Sequence, residues 1–442
     1  METVTGTTLE RVLAAVDDRA DEIVAFASDL IRQPSVNPDL EPNELAERPA
    51  QDWLRDQFLS FGAFDIVDSW EVAERRPNVV AVRKGSGGGR SLTWSAHTDV
   101  VPVTPEQAEQ WTGAGPFSGE VRDGKLWGRG ASDMKGAIAA YALATRILLD
   151  TGVRLKGDLI LSQASGEESG RRDIGCNTIL ERGYRSDLAI FPEPSNFRIY
   201  PTAKGELYFR LIVPGKSTHI CNRHLVAQAL PYGVERPGVS AIDNMLKYQL
   251  ALIELERQWL LWRTNPTVDS GGMFININTM QAGTSITSIP DSCDATGSML
   301  FYPDLTAAEV MDEIRATVNR VTESDYWLRD HPPVLDLPLD ASSAAPWIKE
   351  PVNMPFDHPG VLTIAEVLKR VSNRDPLVET APFVCDANFW FPLGQPSLIF
   401  GLGDPSWGIH GTNEFLPMSD LIEATKLFAA ITMAWCGVDE SP

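Results

Sequence analysis

The chain has 442 residues, 43% of them hydrophobic, so it is long enough to form a large core and about two domains. With 38 Lys and Arg against 60 Asp and Glu, the formal net charge is −22. This charge argues against nucleic acid or an anionic membrane surface as a partner, although a local basic pocket for a carboxylate substrate is still compatible with it. No run of about 18 apolar residues is present, so we expect no membrane-spanning segment.

The N-terminal stretch and the cysteines both bear on the compartment. Residues 1–26 place acidic side chains within an apolar helical periodicity, which predicts an amphipathic helix and not a signal peptide. The cysteines are scattered and never occur in CxxC spacing; they are Cys176, Cys221, Cys293, Cys385 and Cys436. This usage is typical of reduced thiols and predicts a cytoplasmic protein without a disulfide framework.

Short apolar runs alternate with helical patterns in the first part of the chain. The runs predict strands at 79–83, 92–96, 158–164 and 187–192, and the helical patterns lie at 136–150 and 174–182. Such alternation indicates an α/β domain with a mixed, largely parallel sheet sandwiched by helices. Between the first two strands, the Gly-rich stretch 85–90 predicts a flexible hairpin turn.

From residue 204 the pattern changes. It predicts, in chain order, a strand at 206–213, a helix at 239–263, strands at 272–281 and 292–302, a helix at 306–322 and a strand near 325–330. This β-α-β-β-α-β order is that of a ferredoxin-like α+β unit. A Pro-rich stretch follows, and helices at 360–372 and 419–435 with a strand at 396–401 resume the α/β pattern. We therefore expect an inserted domain at 204–332 between the two parts, 1–203 and 333–442, of one larger domain.

Several familiar motifs are absent or incomplete. The stretch 215–218, GKST, resembles the end of a phosphate-binding loop, but Arg210 stands where that loop needs its first glycine. The sequence has neither the HExxH of helical zinc proteases nor the GxSxG of serine hydrolases.

Acidic and imidazole side chains recur where predicted strands end or a Gly-flanked loop leads into a helix. They are His97, Asp99, Asp133, Glu167, Glu168, Glu193 and His410. Because ligand sites of open α/β sheets lie at the carboxyl ends of the strands, we expect these side chains to converge. Two histidines and three carboxylates suit zinc, and one bridging carboxylate would allow two ions. Asp99 is placed to accept from the second ring nitrogen of His97.

Each of these residues also has a purely structural interpretation. A lone strand-end histidine beside an aspartate is more often a hydrogen-bonded pair, and the acidic stretch 165–169 alone would be a solvated loop or a helix cap. Glu193, between two prolines, could be a surface turn residue. Their recurrence at successive strand ends favours the metal interpretation.

These residues lie in motifs that resemble the acetylornithine deacetylase and succinyl-diaminopimelate desuccinylase family, the dinuclear zinc amidohydrolases that include aminoacylases and glutamate carboxypeptidases. The resemblance covers nearly the whole chain, with SAHTDVVPV, GRGASDMKGAIAA, SGEESG, FPEPSN, GKSTHICNR, GVSAIDNM, AGTSITSIPDSC, CDANFW and IHGTNEFLP in the family's order. It implies a catalytic α/β domain with an inserted lid and dimerisation domain.

The resemblance also implies roles for single residues. His97 and Glu193 would bind one Zn²⁺, Glu168 and His410 the other, and Asp133 would bridge both; Co²⁺ or Mn²⁺ could substitute. Asp99 would orient His97, and Glu167 would be the general base. His219, on the inserted domain, would reach the active site of the partner subunit of a homodimer and donate a hydrogen bond to the oxyanion. Without the family pattern, a structural role for His219 would be favoured.

Candidate substrate contacts are fewer and weaker. They are Arg223, Asn278, Gly283, Thr284, Asn388 and Trp407. Two cations found in many family members are missing, because Leu300 and Asn388 stand in their places, which suggests a substrate less anionic than a succinylated dicarboxylate. The tryptophans are more often packing residues than substrate contacts.

The sequence thus predicts a dizinc amidohydrolase that cleaves an N-acyl or N-carbamoyl group from a small, amino-acid-like substrate. A dipeptidase or carboxypeptidase, and a hydrolase of an aromatic amide or urea, stay open within the same chemistry. From another class, a metal-free binding homologue would keep the fold without turnover. The intact Glu167 and ligand positions argue against that alternative, since a non-enzyme needs no general base.

Overall fold

The computed structural model describes residues 6–222, 238–268, 272–340 and 347–439, which form two units. The first unit runs to Thr202 and resumes at Val352, and the second spans Ala203–Pro351. The sequence placed the second boundary at residue 332. The structure places it at 351, because the short strands β12 (Val334–Asp336) and β13 (Ile348–Lys349) pair with the long strand β9 (Gly205–Pro214) of the inserted unit.

The first unit is built on a mixed sheet that has nine strands among the described residues, in the order β1-β2-β6-β3-β7-β16-β8-β14, with β15 paired to β8. The strands are β1 (Ile66–Ala73), β2 (Arg76–Arg83), β3 (Leu92–His97), β6 (Leu159–Ala164), β7 (Leu188–Phe191), β8 (Ile199–Ala203), β14 (Val352–Asn353), β15 (Val378–Ala381) and β16 (Ser397–Ile399). The central strands β6, β3, β7 and β16 are parallel. Since β6 lies between β2 and β3, the stretch 85–90 is not the hairpin that the sequence predicted.

Helices cover this sheet. They are α1 (Gly6–Asp18), α2 (Ala20–Ile31), α3 (Arg48–Phe61), α4 (Pro105–Gln110), α5 (Gly136–Asp150), α6 (Cys176–Glu181), α9 (Pro359–Val367), α10 (Ala387–Trp390) and α11 (Met418–Cys436). The alanines of α5 let it pack closely against α11 and α2. Trp94 of β3 joins sheet and helices, because its ring lies 4.4 Å from Phe428 and 6.5 Å from Tyr141, centroid to centroid.

A small antiparallel sheet joins two distant segments of the first unit. It consists of β4 (Glu120–Arg122), β5 (Lys125–Trp127) and β17 (Phe415–Pro417), with β5 in the middle. Phe415 pairs with Trp127, so the loop that carries His410 is held near the loop that carries Asp133.

The inserted unit confirms the ferredoxin-like order. In chain order its elements are β9, α7 (Ala241–Trp262), β10 (Phe274–Ala282), β11 (Ser292–Phe301), α8 (Ala307–Ser324) and β12. The strand predicted near 325–330 is a turn instead, because the Asp325 carboxylate accepts the backbone N–H groups of Trp327 and Leu328. Among the described residues of both units, no helix combines the length and the apolar character needed to cross a membrane.

Candidate metal centre

Three of the five predicted ligands lie at the carboxyl ends of parallel strands of the first unit. His97 is the last residue of β3, Glu168 lies in a 3-10 turn just after β6, and Glu193 follows β7 by two residues. Because these strands are neighbours and parallel, their carboxyl ends meet at one edge of the sheet. Asp133 lies in a kinked segment just before α5 and has an extended backbone (φ −124°, ψ 92°), and His410 lies in the loop before β17.

Asp133 lies between the two imidazoles. Its Oδ1 is 3.2 Å from His97 Nε2, and its Oδ2 is 3.4 Å from His410 Nε2. On the outer sides, Glu193 Oε2 lies 3.8 Å from His97 Nε2, and Glu168 Oε2 lies 3.1 Å from His410 Nε2. The arrangement is two imidazole–carboxylate pairs that share one central carboxylate.

The charges of this cluster are poorly balanced by the protein itself. Burial raises the pKa of Glu168 to about 7 and raises that of Glu193 well above its ordinary value. Hydrogen bonds to Asp133 and Glu168 raise the pKa of His410 to about 10. Among the described residues, no Lys or Arg forms an ion pair with these three carboxylates. Three carboxylates and two imidazoles without another cation fit divalent metal ions such as zinc, and His97, Asp133 and Glu168 offer ligand atoms within 4.8 Å of one another.

Asp99 contacts the His97 ring mainly through its backbone and not through its carboxylate. His97 Nδ1 lies 2.9 Å from the backbone carbonyl of Asp99 but 3.7 Å from its carboxylate, so the carbonyl is the acceptor that orients the ring. The fully buried Asp99 carboxylate instead accepts the backbone N–H groups of Gly166, Glu167 and Glu168, at 2.9, 3.2 and 3.0 Å. It therefore positions the turn that carries the predicted base and one predicted ligand.

Glu414 does for the Asp133 loop what Asp99 does for the Glu167 turn. Its buried carboxylate accepts the backbone N–H groups of Gly130, Ser132 and Asp133, at 3.0, 2.9 and 3.1 Å. Arg129 donates to the same carboxylate and also to the carbonyl of Gly411. The loops that carry Asp133 and His410 are thereby tied together.

Sequence reasoning missed Glu414, Arg129 and Asn37. Asn37 donates from Nδ2 to Asp99 Oδ2 at 2.7 Å and to Ser169 Oγ at 3.1 Å, so it supports Asp99 from behind. Arg129 and Glu414 lie within the motifs GRGASDMKGAIAA and IHGTNEFLP, and an acidic residue directly before an apolar strand was an available signal. Asn37 lies in a loop 62 residues before Asp99 and carried no such signal.

Glycines begin both turns. Gly130 and Gly166 have φ values of +83° and +87°, the left-handed region in which other residues are strained. A Cβ on Gly166 would also lie 3.1 Å from side-chain atoms of Arg171 and Arg76. The chain can therefore turn sharply and present its next acidic side chains toward the site.

The remaining predicted residues of the first unit are Glu167, Asn388 and Trp407. Glu167 is half-buried, and its carboxylate interacts electrostatically with Glu193. Asn388 is buried, and its side-chain oxygen accepts the Cys385 N–H at 3.0 Å, so it supports the local backbone. Trp407 is half-buried and stacks on Phe415, with 5.7 Å between ring centroids.

The other candidates belong to the inserted unit. His219 is exposed, and its Nδ1 accepts the N–H of Cys221 at 3.3 Å. Asn278 is exposed in the middle of β10 and donates to Ser298 Oγ, and Gly283 and Thr284 are exposed just beyond the end of that strand. Arg223 lies outside the described residues.

The sequence matches the family described as peptidase family M20/M25/M40 over residues 93–434. It is 31% identical over 428 residues to the N-formyl-4-amino-5-aminomethyl-2-methylpyrimidine deformylase of Bacillus subtilis (strain 168), covering 95% of this chain and 96% of that protein. It is 29% identical over 422 residues to the succinyl-diaminopimelate desuccinylase of Gluconacetobacter diazotrophicus, covering 92% and 95%.

Solved structures share the fold at low sequence identity. Human carnosine dipeptidase 1 matches with a TM-score of 0.69 and 16% identity, covering 97% of this chain and 98% of that one. A dinuclear metal binding peptidase of the M20 family from Bacillus subtilis matches with a TM-score of 0.64 and 15% identity, covering 96% and 100%.

Proposed function

The chain belongs to peptidase family M20/M25/M40, metal-dependent hydrolases that act on amide bonds, and we propose that this member removes a short N-acyl group from a small amine. The observation that carries the proposal is Asp133 placed between His97 and His410, each with its own second carboxylate. We favour an N-formyl group on an aminomethyl-substituted heteroaromatic ring as the first substrate to test. Two relatives, 31% and 30% identical over most of this chain, are deformylases of such a pyrimidine.

The side chains support this choice of substrate. The family resemblance implies cations at the positions of Leu300 and Asn388, and both side chains are uncharged here, so a succinylated dicarboxylate would find fewer partners. N-acyl and N-carbamoyl amino acids are the next substrates to test, followed by dipeptides and aromatic amides or ureas, which need the same chemistry at the scissile bond.

In this proposal the five ligands would hold two zinc ions, for which Co²⁺ or Mn²⁺ could substitute. His97 and Glu193 would hold one ion, Glu168 and His410 would hold the other, and Asp133 would be shared by both. Bound zinc would lower the pKa of the nucleophilic water and polarise the scissile carbonyl.

Glu167 acts as the general base. It takes a proton from the attacking water and delivers it to the leaving nitrogen, so that the amine departs neutral. Asp99 holds the backbone N–H of Glu167 at 3.2 Å and thus sets the position of this base. His219, supplied by the inserted unit of a second copy, donates a hydrogen bond to the oxyanion.

The proposed homodimer is supported by the surface of the inserted unit. Helix α7 buries one face in its own core and exposes a second apolar stripe, formed by Ile242, Leu246, Leu250 and Ile253. Strand β10 lies at an edge of the described sheet and is largely exposed. Exposed apolar stripes and unpaired strand edges are surfaces that proteins often bury against a second chain. The proposed compartment is the cytoplasm, in keeping with five free cysteines.

Glu167→Gln tests the proposed function. We expect this variant to keep its zinc while turnover of the N-formyl substrate falls by about 10²-fold or more, because the proton transfer is lost. Glu181→Gln, at an exposed position on α6, is the matched control and should keep full activity. Loss of zinc together with activity would show Glu167 to be a ligand. A loaded wild type that hydrolyses no amide of the panel would favour a binding homologue.

A further inference from the structure

A cavity of about 250 Å³ lies in the first unit at the opposite edge of the sheet from the metal centre. It is lined by Arg90, which precedes β3 by two residues, and by Lys156, which precedes β6 by three. The six residues of β3, at about 3.3 Å each, separate the two ends of that strand by about 20 Å. The cavity is therefore separate from the cluster around His97.

One wall of the cavity is apolar. It is formed by the ends of helices, with Leu9, Val367, Ala430, Met433 and Trp435 among the lining side chains. The Trp435 indole is fixed, since its Nε1 donates to the carbonyl of Ser91 at 2.9 Å.

The Gly-rich stretch 85–90 forms another part of the wall. A Cβ on Gly89 would lie 2.1 Å from the carbonyl oxygen of Cys436 and 2.4 Å from the backbone nitrogen of Gly157. Only glycine lets this loop pass so close to the end of α11. This close passage places Arg90 directly beside the end of α11, in the wall of the cavity.

The polar lining is mainly cationic. Among the described residues that line the cavity, Arg90, Lys156 and Arg370 are cationic and Glu366 is acidic. The Arg90 guanidinium carbon lies 3.7 Å from the ring centroid of Trp435. Within the described part of the chain, no carboxylate forms an ion pair with Arg90 or Arg370, in contrast to nearby Arg374, which pairs with Glu423. Two such arginines beside an apolar pocket are unexpected in a chain with a net charge of −22.

We propose that this cavity is a second binding site, for a small carboxylate with an apolar or aromatic body. A guanidinium stacked on an aromatic face keeps its N–H edge available for a carboxylate, which it can hold with two hydrogen bonds. The apolar wall would cover the rest of the molecule. A volume of 250 Å³ is slightly below the range of drug-sized pockets and suits a single ring or a short aliphatic chain.

Calorimetric titration of the zinc-loaded protein with phenylacetate tests the proposal, with phenylacetamide as the neutral isostere. We expect phenylacetate to bind and phenylacetamide to bind at least about tenfold more weakly, since charged hydrogen bonds are lost. Arg90→Gln and Arg370→Gln should each weaken phenylacetate binding by about tenfold. Arg370 is exposed, so its variant keeps the test valid if Arg90→Gln fails to fold. Arg257→Gln, exposed on α7, is the control and should bind as the wild type does.

Two results would overturn the proposal. One is phenylacetate binding that both arginine variants leave unchanged, which would place the probe elsewhere, for example on the zinc. The other is the absence of binding by phenylacetate, benzoate and hexanoate at millimolar concentrations. Because the readout is binding at Arg90 and Arg370 and not turnover, failure here would leave the proposed hydrolase activity unaffected.

Discussion

Replacing Asp99 by Asn tests how the site is held together. Each Asp99 oxygen accepts two hydrogen bonds, Oδ1 from the N–H groups of Gly166 and Glu167 and Oδ2 from Glu168 N–H and Asn37 Nδ2. An Asn amide keeps one oxygen and turns an NH₂ toward the other pair of donors. Two hydrogen bonds to a charged acceptor are lost, at about 1.5–3 kcal/mol each, so the native conformation of the turn is destabilised by about 3–6 kcal/mol.

The expected result is a displaced Glu167–Glu168 turn. We predict that kcat falls by about 10²-fold and that zinc affinity falls by about 10–100-fold, the usual effects of misplaced catalytic groups and of lost support behind metal ligands. Zinc content after dialysis against buffered zinc, and kcat with saturating zinc, measure the two effects separately.

Asp325→Asn is the matched control for this variant. Asp325 also accepts two backbone N–H groups, and it pairs with Lys247, but it lies in the inserted unit. This variant should lose stability while its zinc affinity and kcat stay at wild-type values. An Asp99→Asn protein with normal zinc affinity and normal kcat would refute the role assigned to Asp99.

Three further predictions follow from single contacts. Glu414→Gln leaves the Arg129 guanidinium buried without its carboxylate, so the free energy of unfolding should fall by about 3–5 kcal/mol in denaturant titration; an unchanged midpoint would contradict this. Burial, with the charge of Arg90, lowers the pKa of His358, so the unfolded chain binds a proton that the folded chain does not, and stability should fall as the pH drops below about 6.5. His358→Asn should remove this pH slope, and a slope equal to that of the wild type would exclude His358 as its source. If the proposed dimer forms through the exposed stripe of α7, Leu250→Glu should be monomeric in sedimentation velocity, whereas a variant that remains dimeric would place the interface elsewhere.

The clustering of the predicted ligands could be predicted from sequence because strand ends carry a local signal. An apolar run that stops at a polar residue marks the carboxyl end of a strand, and parallel neighbours bring such ends together. His97, Glu168 and Glu193 follow this pattern, and the structure brings them near Asp133 and His410. That they bind zinc stays a prediction.

The supporting contacts could not be predicted in the same way. Asp99 and Glu414 act by accepting backbone N–H groups, and the direction in which a backbone N–H points is decided by the local turn and not by the side chains nearby. Asn37 joins Asp99 through a contact between segments far apart in the chain. None of these contacts produces a periodic pattern in the amino-acid sequence from which it could be predicted.

Short elements explain the remaining differences. The strands β12 and β13 have three and two residues, too few for an alternating pattern, so the boundary of the inserted unit was placed before them. The aromatic residues of 325–330 favour a strand, but the Asp325 carboxylate closes the backbone into a turn.

The most direct test of the account is to measure zinc content and N-formyl amide hydrolysis together, for the wild type and for Glu167→Gln, before and after chelation. We predict about two zinc ions per chain in both proteins, and hydrolysis only by the wild type, abolished by the chelator and restored by zinc. A wild type that takes up no metal under zinc-replete conditions, or hydrolysis that survives complete removal of the metal, would contradict it.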